Sequence, residues 1–173
     1  MGARFRALMN GPEPLICPNA YDTLTARLIE AHGFQGLFIG SSVVNQALAG
    51  VPDQAIVTVS EIIDYDSTIA SNVDIPVIAD LDDLGATPLT IYRLAQRAEK
   101  GGIGCAAFDD RTPLNRATAY AVPGVHPRAR MIDNIHAAAD ARTDMVLIVR
   151  CLAPTPNNSY NEMFDRAATY AEA

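Results

Sequence analysis

Short apolar runs alternate along the chain with segments of helical period. Leu15-Ile16-Cys17, Gly36-Leu37-Phe38-Ile39, Pro76-Val77-Ile78-Ala79-Asp80, Ile103 to Phe108 and Met145 to Val149 are near-continuous in apolar residues and read as buried strands. Between them, apolar side chains recur three and four residues apart. Tyr21, Leu24, Leu28 and Ala31 predict one helix, ended at Gly33. Val59, Ile62, Ile63, Ile69 and Ala70 predict another, opened by the capping-box pattern Thr58-Val59-Ser60-Glu61. Ile91, Leu94, Ala95 and Ala98 give a third, stopped by Gly101-Gly102, and Met131, Ile132, Ile135 and Ala139 a fourth. Met163, Phe164, Ala167 and Ala171 give a fifth, behind a second capping signal at Ser159-Tyr160-Asn161-Glu162. After the second strand, Gly40-Ser41-Ser42 opens a connection that runs through a loop at Gly50-Val51-Pro52-Asp53.

Five such β–α units argue for a parallel sheet covered by helices. Two architectures satisfy the pattern, an open doubly wound sheet or part of a (β/α)8 barrel. A barrel typically takes about 250 residues. The length of 173 residues taken alone therefore favours the open sheet, and predicts one domain over 1–173.

The polar residues of interest share one address. Asn19 and Asp22, Ser41 and Ser42, Asp80, Asp82 and Asp83, Asp109 and Asp110, and Arg150 all follow the C-terminal ends of predicted strands. In either architecture that edge is where ligands bind. In an extended segment Asp80 and Asp82 would project to the same side, because strand side chains alternate with period two. With Asp109 ending the next strand, several carboxylates would face one hard cation, and Mg2+ takes few of them directly while keeping its waters. The opposing possibility is that these acids cap helix N-termini or solvate loops. Cys17 and Cys105 fall within strands and read as core. Cys151 beside Arg150 is the candidate reactive thiol, and His126 is the histidine placed to reach the strand ends.

Composition narrows the function classes. A net charge of −7 opposes nucleic-acid binding, which needs a cationic face, and 6% aromatic residues without Trp offer no stacking platform. No apolar run reaches the length of a membrane span, and the start has no secretory h-region. Three cysteines at wide spacing form neither a disulfide framework nor a zinc pattern, so the expectation is a reduced, cytoplasmic protein. The 13 basic residues are arginines except for Lys100, so a lysine imine mechanism would have to use the end of the third predicted helix. Arginine instead suits small anionic substrates, which it grips with paired hydrogen bonds.

Pro18-Asn19-Ala20-Tyr21-Asp22, Ala26-Arg27-Leu28-Ile29-Glu30 and Gly33-Phe34 resemble the opening of the isocitrate lyase/phosphoenolpyruvate mutase superfamily. Gly50-Val51-Pro52-Asp53, Ile75-Pro76-Val77-Ile78-Ala79-Asp80-Leu81-Asp82, Phe108-Asp109-Asp110-Arg111 and Ile148-Val149-Arg150 stand, in order, where that family has its later landmarks. The resemblance implies a (β/α)8 TIM barrel of which about five of eight β–α units are present. It implies a lyase or mutase that cleaves a C–C or P–C bond of a small 2-oxo or 2-hydroxy carboxylate, with Mg2+ or alternatively Mn2+. Carried over by residue, Asp80 would ligate the metal directly, with Asp53, Asp82 and Asp109 holding its waters. Ser41 and Ser42 would offer backbone N–H groups to the substrate carboxylate, Arg150 would neutralise its charge, and the assembly would be a homo-oligomer.

The sequence departs from the family pattern where protons move. Asp83-Leu84-Gly85-Ala86 replaces Thr-Gly-Tyr-Gly, Asp109 stands for Glu, and Cys151-Leu152 replaces Thr-Asp. Thr112-Pro113-Leu114-Asn115-Arg116 carries neither the Lys nor the Cys of the family's catalytic loop. General acid–base catalysis is worth roughly 10²–10⁴-fold. A second reading therefore stands beside the enzyme: a degenerate or fragmentary member that binds ligand or a partner subunit.

Overall fold

The computed structural model describes residues 1–85, 87–112, 124–152 and 159–173. Its elements are α1 (Gly2–Met9), α2 (Thr23–Ala31), β1 (Leu37–Ile39), α3 (Ser41–Ala49), α4 (Val59–Ala70), β2 (Val77–Asp80), α5 (Pro88–Lys100), β3 (Cys105–Asp109), α6 (Arg128–Ala141), β4 (Val146–Arg150) and α7 (Tyr160–Glu172). The strands form one parallel sheet in the order β1-β2-β3-β4, as expected of β–α units connected in sequence. The first predicted strand, Leu15 to Cys17, is corrected. That segment reaches the sheet as a single bridge, Asn19 beside Phe38, with Phe38 N–H donating to Pro18 O at 2.9 Å and Ala20 N–H to Phe38 O at 2.8 Å. Pro18 has no N–H to extend the ladder, and the capping box of α2 begins at Asp22.

Period two divides the strands between two cores. Leu37, Ile39, Val77, Ala79, Ala106, Phe108, Leu147 and Val149 belong to the large core beneath the helices. The alternate residues Phe38, Ile78, Cys105, Ala107, Val146 and Ile148 form a smaller cluster on the inner face, joined by Leu15, Cys17 and Phe5. Phe5 comes from α1, a helix the sequence pattern did not predict. Its first turn is anchored on Asp144, whose Oδ2 accepts from Ala3 N–H at 2.9 Å. Continued one step, the inner row ends in Gly40, Asp80, Asp109 and Arg150. The ladder sets Asp80 opposite Ala107 and Asp109 opposite Arg150.

Local signals explain most helices. Thr58 and Glu61 close a capping box on α4, and Thr87 caps α5 with Pro88 in its first turn. Ile91, Leu94, Ala95 and Ala98 are the buried face of α5, as predicted. Two faces differ from expectation. Tyr21, Leu24 and Leu28 are 49%, 67% and 49% exposed, and Ala26 is the buried residue of α2, because that helix packs on α4 at the margin of the sheet. On α7 the residues turned inward are Arg166 and Tyr170, while Phe164 is 63% exposed. Met131 and Ile135 of α6 are buried as expected, joined by Asn134, Ala138 and Ala141. Residues Ser41–Ala49, not assigned to any element by the pattern, are helical and end at Gly50, whose φ of 65° suits a glycine. No disulfide joins the three cysteines. Among the described residues, no helix is long and apolar enough to cross a membrane.

Candidate active site at the C-terminal edge of the sheet

Arg150 ends β4 and reaches across the inner face. Its Nη1 donates to Asp80 Oδ2 at 3.0 Å and its Nη2 to Asp80 Oδ1 at 2.5 Å, while Nη2 also donates to Asp109 Oδ2 at 3.2 Å. A fork of this kind is roughly twice as strong as a neutral hydrogen bond. Arg111 approaches the same acid from the other side, its Nε and Nη2 donating to Asp109 Oδ2 at 3.3 and 3.1 Å. Its backbone N–H donates to Asp109 Oδ1 at 3.1 Å. Burial pushes the Asp109 carboxyl above its usual range despite the opposing pull of Arg111 and Arg150. Burial lowers the Arg150 guanidinium, but its hydrogen bonds to Asp80 and the charges of Asp80, Asp109 and Asp82 outweigh that and raise it.

Asp82 does not follow the alternation expected of an extended segment. β2 ends at Asp80, and Asp82 and Leu84 take φ values of 55° and 50°, followed by Gly85 at 97°. A non-glycine residue in the left-handed region costs about 1–3 kcal/mol, least for Asp, and persists only where its surroundings enforce it. Here Leu81 and Leu84 are fully buried, and Leu84 N–H donates to Leu81 O at 2.8 Å. The turn delivers Asp82 to Ser41, whose Oγ donates to Asp82 Oδ1 at 2.9 Å, and Asp82 N–H to Asp80 Oδ1 at 3.3 Å.

Ser41 and Ser42 open α3 directly after β1, with Gly40 as the cap residue. They are therefore the first turn of a helix rather than a loop, and first-turn N–H groups have no acceptor within their own helix. Ser41 is buried and Ser42 exposed. Asp53 stands further out, linked to this corner through Asn45, whose Nδ2 donates to Ser41 O at 2.8 Å and to Asp53 Oδ1 at 3.5 Å. Thus Asp80, Asp109 and Arg150 meet directly, Ser41 and Asp82 form a second pair beside them, and Asp53 touches neither.

Asp110, next to Asp109, faces the other way. Its Oδ1 accepts from Leu152 N–H at 2.9 Å and its Oδ2 from Tyr170 OH at 3.2 Å and Cys151 Sγ at 3.5 Å, with Arg166 Nη1 at 3.9 Å. Tyr170 is pushed up to about 12, chiefly by burial. This buried node ties the ends of β3 and β4 to α7. His126 enters it through its backbone, its N–H donating to Asp110 O at 2.7 Å, and its Nε2 is enclosed without a partner among the described residues. Lys100 is exposed at the end of α5, hence at the opposite edge of the sheet. The loop residues 113–116, expected to face the site, lie outside the described residues.

Sequence reasoning missed Arg111 and Asp66. Arg111 was findable, since it follows Asp109 by two and period two sends both to one side. Asp66 carries no such signal. It is fully buried on α4 with neither carboxylate oxygen partnered among the described residues, and burial, then the charge of Asp80, raises it well above the usual carboxylate range.

Whether a metal fits can be judged from the donors. Among the described residues, no three His, Cys, Asp or Glu side chains are gathered to hold an ion directly. The donors that are present are hard carboxylate oxygens, and Asp80 already holds a cationic group, the Arg150 guanidinium. That set suits a hard divalent cation with one direct carboxylate and retained waters.

Comparison with known proteins places this geometry. The chain is 25% identical to 2,3-dimethylmalate lyase of Eubacterium barkeri over 99% of its length, and 30% identical to oxaloacetate decarboxylase of Rhodopseudomonas palustris (strain BisB5) over 97%. It spans 60% and 58% of those two proteins. Oxaloacetate acetylhydrolase in complex with 3,3-difluorooxalacetate superposes with a TM-score of 0.91 at 27% identity, covering 99% of this chain and 60% of that one. Phosphonopyruvate hydrolase in complex with oxalate and Mg2+ superposes with a TM-score of 0.85 at 27% identity, covering 99% and 59%. The fold is thus of the (β/α)8 type, represented by about three fifths of its neighbours' length. The family model for phosphoenolpyruvate phosphomutase matches residues 5–173, and with nearly the whole chain inside that match the protein belongs to this family, within the isocitrate lyase/phosphoenolpyruvate mutase superfamily.

Proposed function

We propose that the C-terminal edge of the sheet binds a small 2-oxo or 2-hydroxy carboxylate together with Mg2+, or Mn2+ in its place, and serves C–C or P–C bond cleavage. The observation that carries this reading is the convergence of Asp80, Asp109 and Arg150, at the strand ends, in a chain of this family. Similarity to the phosphonopyruvate hydrolase bound to oxalate and Mg2+ supports the choice of ligand. Asp80 would be the direct ligand, with Asp82, Asp109 and the more distant Asp53 acting through water. When bound, the cation would supply positive charge against that developing on a substrate oxygen. Arg150 holds a carboxylate by its fork, and the Ser41 and Ser42 N–H groups, at the start of α3, orient it. We also propose a homo-oligomer, since Leu24 and Leu28 on α2 and Phe164 on α7 leave apolar faces exposed.

The test is ligand-linked stability. Mg2+ with oxalate raises the melting temperature of the chain and does nothing for Asp80→Ala. No stabilisation by oxalate or pyruvate at any Mg2+ concentration would remove the reading.

A second reading, binding without turnover, is favoured by one observation: Lys100, the lysine of these 173 residues, stands at the far edge of the sheet from the site. Assays for bond cleavage in oxaloacetate, methylisocitrate and phosphonopyruvate separate the two. Binding without product in all three selects the degenerate member.

A further inference from the structure

Both guanidiniums at the strand ends are already committed to carboxylates of the protein itself. Arg150 covers both oxygens of Asp80 and shares Asp109 with Arg111. Counting Asp80, Asp82 and Asp109 against Arg111 and Arg150, three negative groups face two positive ones. A carboxylate ligand arriving alone meets an excess of negative charge and, among the described residues, an Arg150 fork already engaged. A divalent cation arriving alone must compete with Arg150 for Asp80.

One exchange resolves the competition. A cation that takes Asp80 adds two positive charges and displaces Arg150 from its paired acceptor. The guanidinium stays beside the site through Asp109 and now has donors to offer. We infer that Arg150 is the site's built-in counter-ion: it holds Asp80 until a divalent cation claims that carboxylate, and the released fork then receives the ligand carboxylate. The inference rests on the function proposed above and adds an order to it, cation first and carboxylate second. The fork makes Arg150 a competitor of the cation as well as a partner of the substrate, which predicts opposite effects of its removal on the two ligands.

Two measurements on the 173-residue chain test this. In the first, calorimetric titration with Mg2+ compares the wild type, Arg150→Gln and Asp80→Ala. Arg150→Gln binds Mg2+ about tenfold more tightly than wild type and loses the gain in oxalate affinity that Mg2+ confers; Asp80→Ala binds no Mg2+, and its oxalate affinity is the same with and without Mg2+. In the second, which needs no variant, phenylglyoxal modification of the wild type is followed by peptide mass spectrometry, with exposed Arg93 as internal reference. Mg2+ raises the modification rate at Arg150 and leaves Arg93 unchanged.

Equal or weaker Mg2+ binding by a folded Arg150→Gln, or an Arg150 modification rate that Mg2+ leaves unchanged or lowers, overturns the counter-ion role. Provided the wild type still binds Mg2+ through Asp80, the proposed function survives that result. Absence of Mg2+ binding in both the wild type and Arg150→Gln overturns the two together. If Arg150→Gln does not fold, the modification rate in the wild type decides.

Discussion

Replacing Asp66 by asparagine keeps the side chain's shape and removes its charge. The residue is fully buried, neither carboxylate oxygen has a partner among the described residues, and the charge of Asp80 adds to the effect of burial in raising its pKa. A carboxyl whose folded pKa lies above the unfolded value holds its proton longer in the fold than in the open chain. Its contribution is therefore most favourable below the unfolded value near 3.9 and is lost as pH rises through the folded value. Each pKa unit of elevation is worth about 1.4 kcal/mol. Asparagine escapes that loss, though its amide, like the protonated acid, still lacks a partner. Since pH 4.5 already lies above the unfolded value, Asp66→Asn should be more stable than the wild type there and gain further by pH 8, by about 1.4 kcal/mol for each unit of elevation. For a chain of this size each kcal/mol is roughly 2–4 °C in melting temperature. Asp109 is shifted in the same direction and will leave some pH dependence in the variant. Thermal and urea unfolding at pH 4.5, 6 and 8 measure the difference. A variant whose advantage over the wild type is no larger at pH 8 than at pH 4.5, or one destabilised equally at both, would refute the reasoning.

Other substitutions follow from the same geometry. Ile91→Ala empties a fully buried position on α5 and should cost about 2–5 kcal/mol in urea unfolding, against near-neutrality for Leu89→Ala on the same helix, which is 86% exposed. Tyr170→Phe removes the hydroxyl held between Asp110 and Arg166 and should cost about 1–3 kcal/mol, with faster amide exchange at Leu152. Leu24→Asp with Leu28→Asp should change the stability of dissociated chains little, about 0.5 kcal/mol per site, because both side chains are exposed; if α2 is an association surface, sedimentation will show smaller particles.

How far the sequence was legible depends on what each segment packs against. α5 was readable residue by residue, since its four predicted contacts have the sheet on one side and solvent on the other. The same pattern on α2 pointed to the wrong face, because an apolar stripe says that something is to be covered, and not that the chain in hand covers it. α7 failed for a related reason: its inward face is set by Asp110 drawing Tyr170 and Arg166, a polar attraction invisible to apolar periodicity. At the site, the strand ends located Asp80, Asp109 and Arg150, and period two would have added Arg111 beside Asp109. It misled at Asp82, where the backbone leaves the extended region one residue after the strand. The commitment of Arg150 to Asp80 could not be read at all, being a distance between residues 70 apart in sequence.

The most direct test of where the site lies uses Mn2+ as a paramagnetic probe of the 173-residue chain. Substoichiometric Mn2+ should broaden the amide resonances of Gly40 to Ser42, Asp80 to Asp82, Asp109 to Arg111 and Arg150, and spare Lys100 to Gly102 at the opposite edge of the sheet. Loss of that broadening in Asp80→Ala would complete the result. Broadening centred on any other part of the surface, or a spectrum unchanged by Mn2+, would contradict the assignment of the C-terminal edge as the metal–carboxylate site.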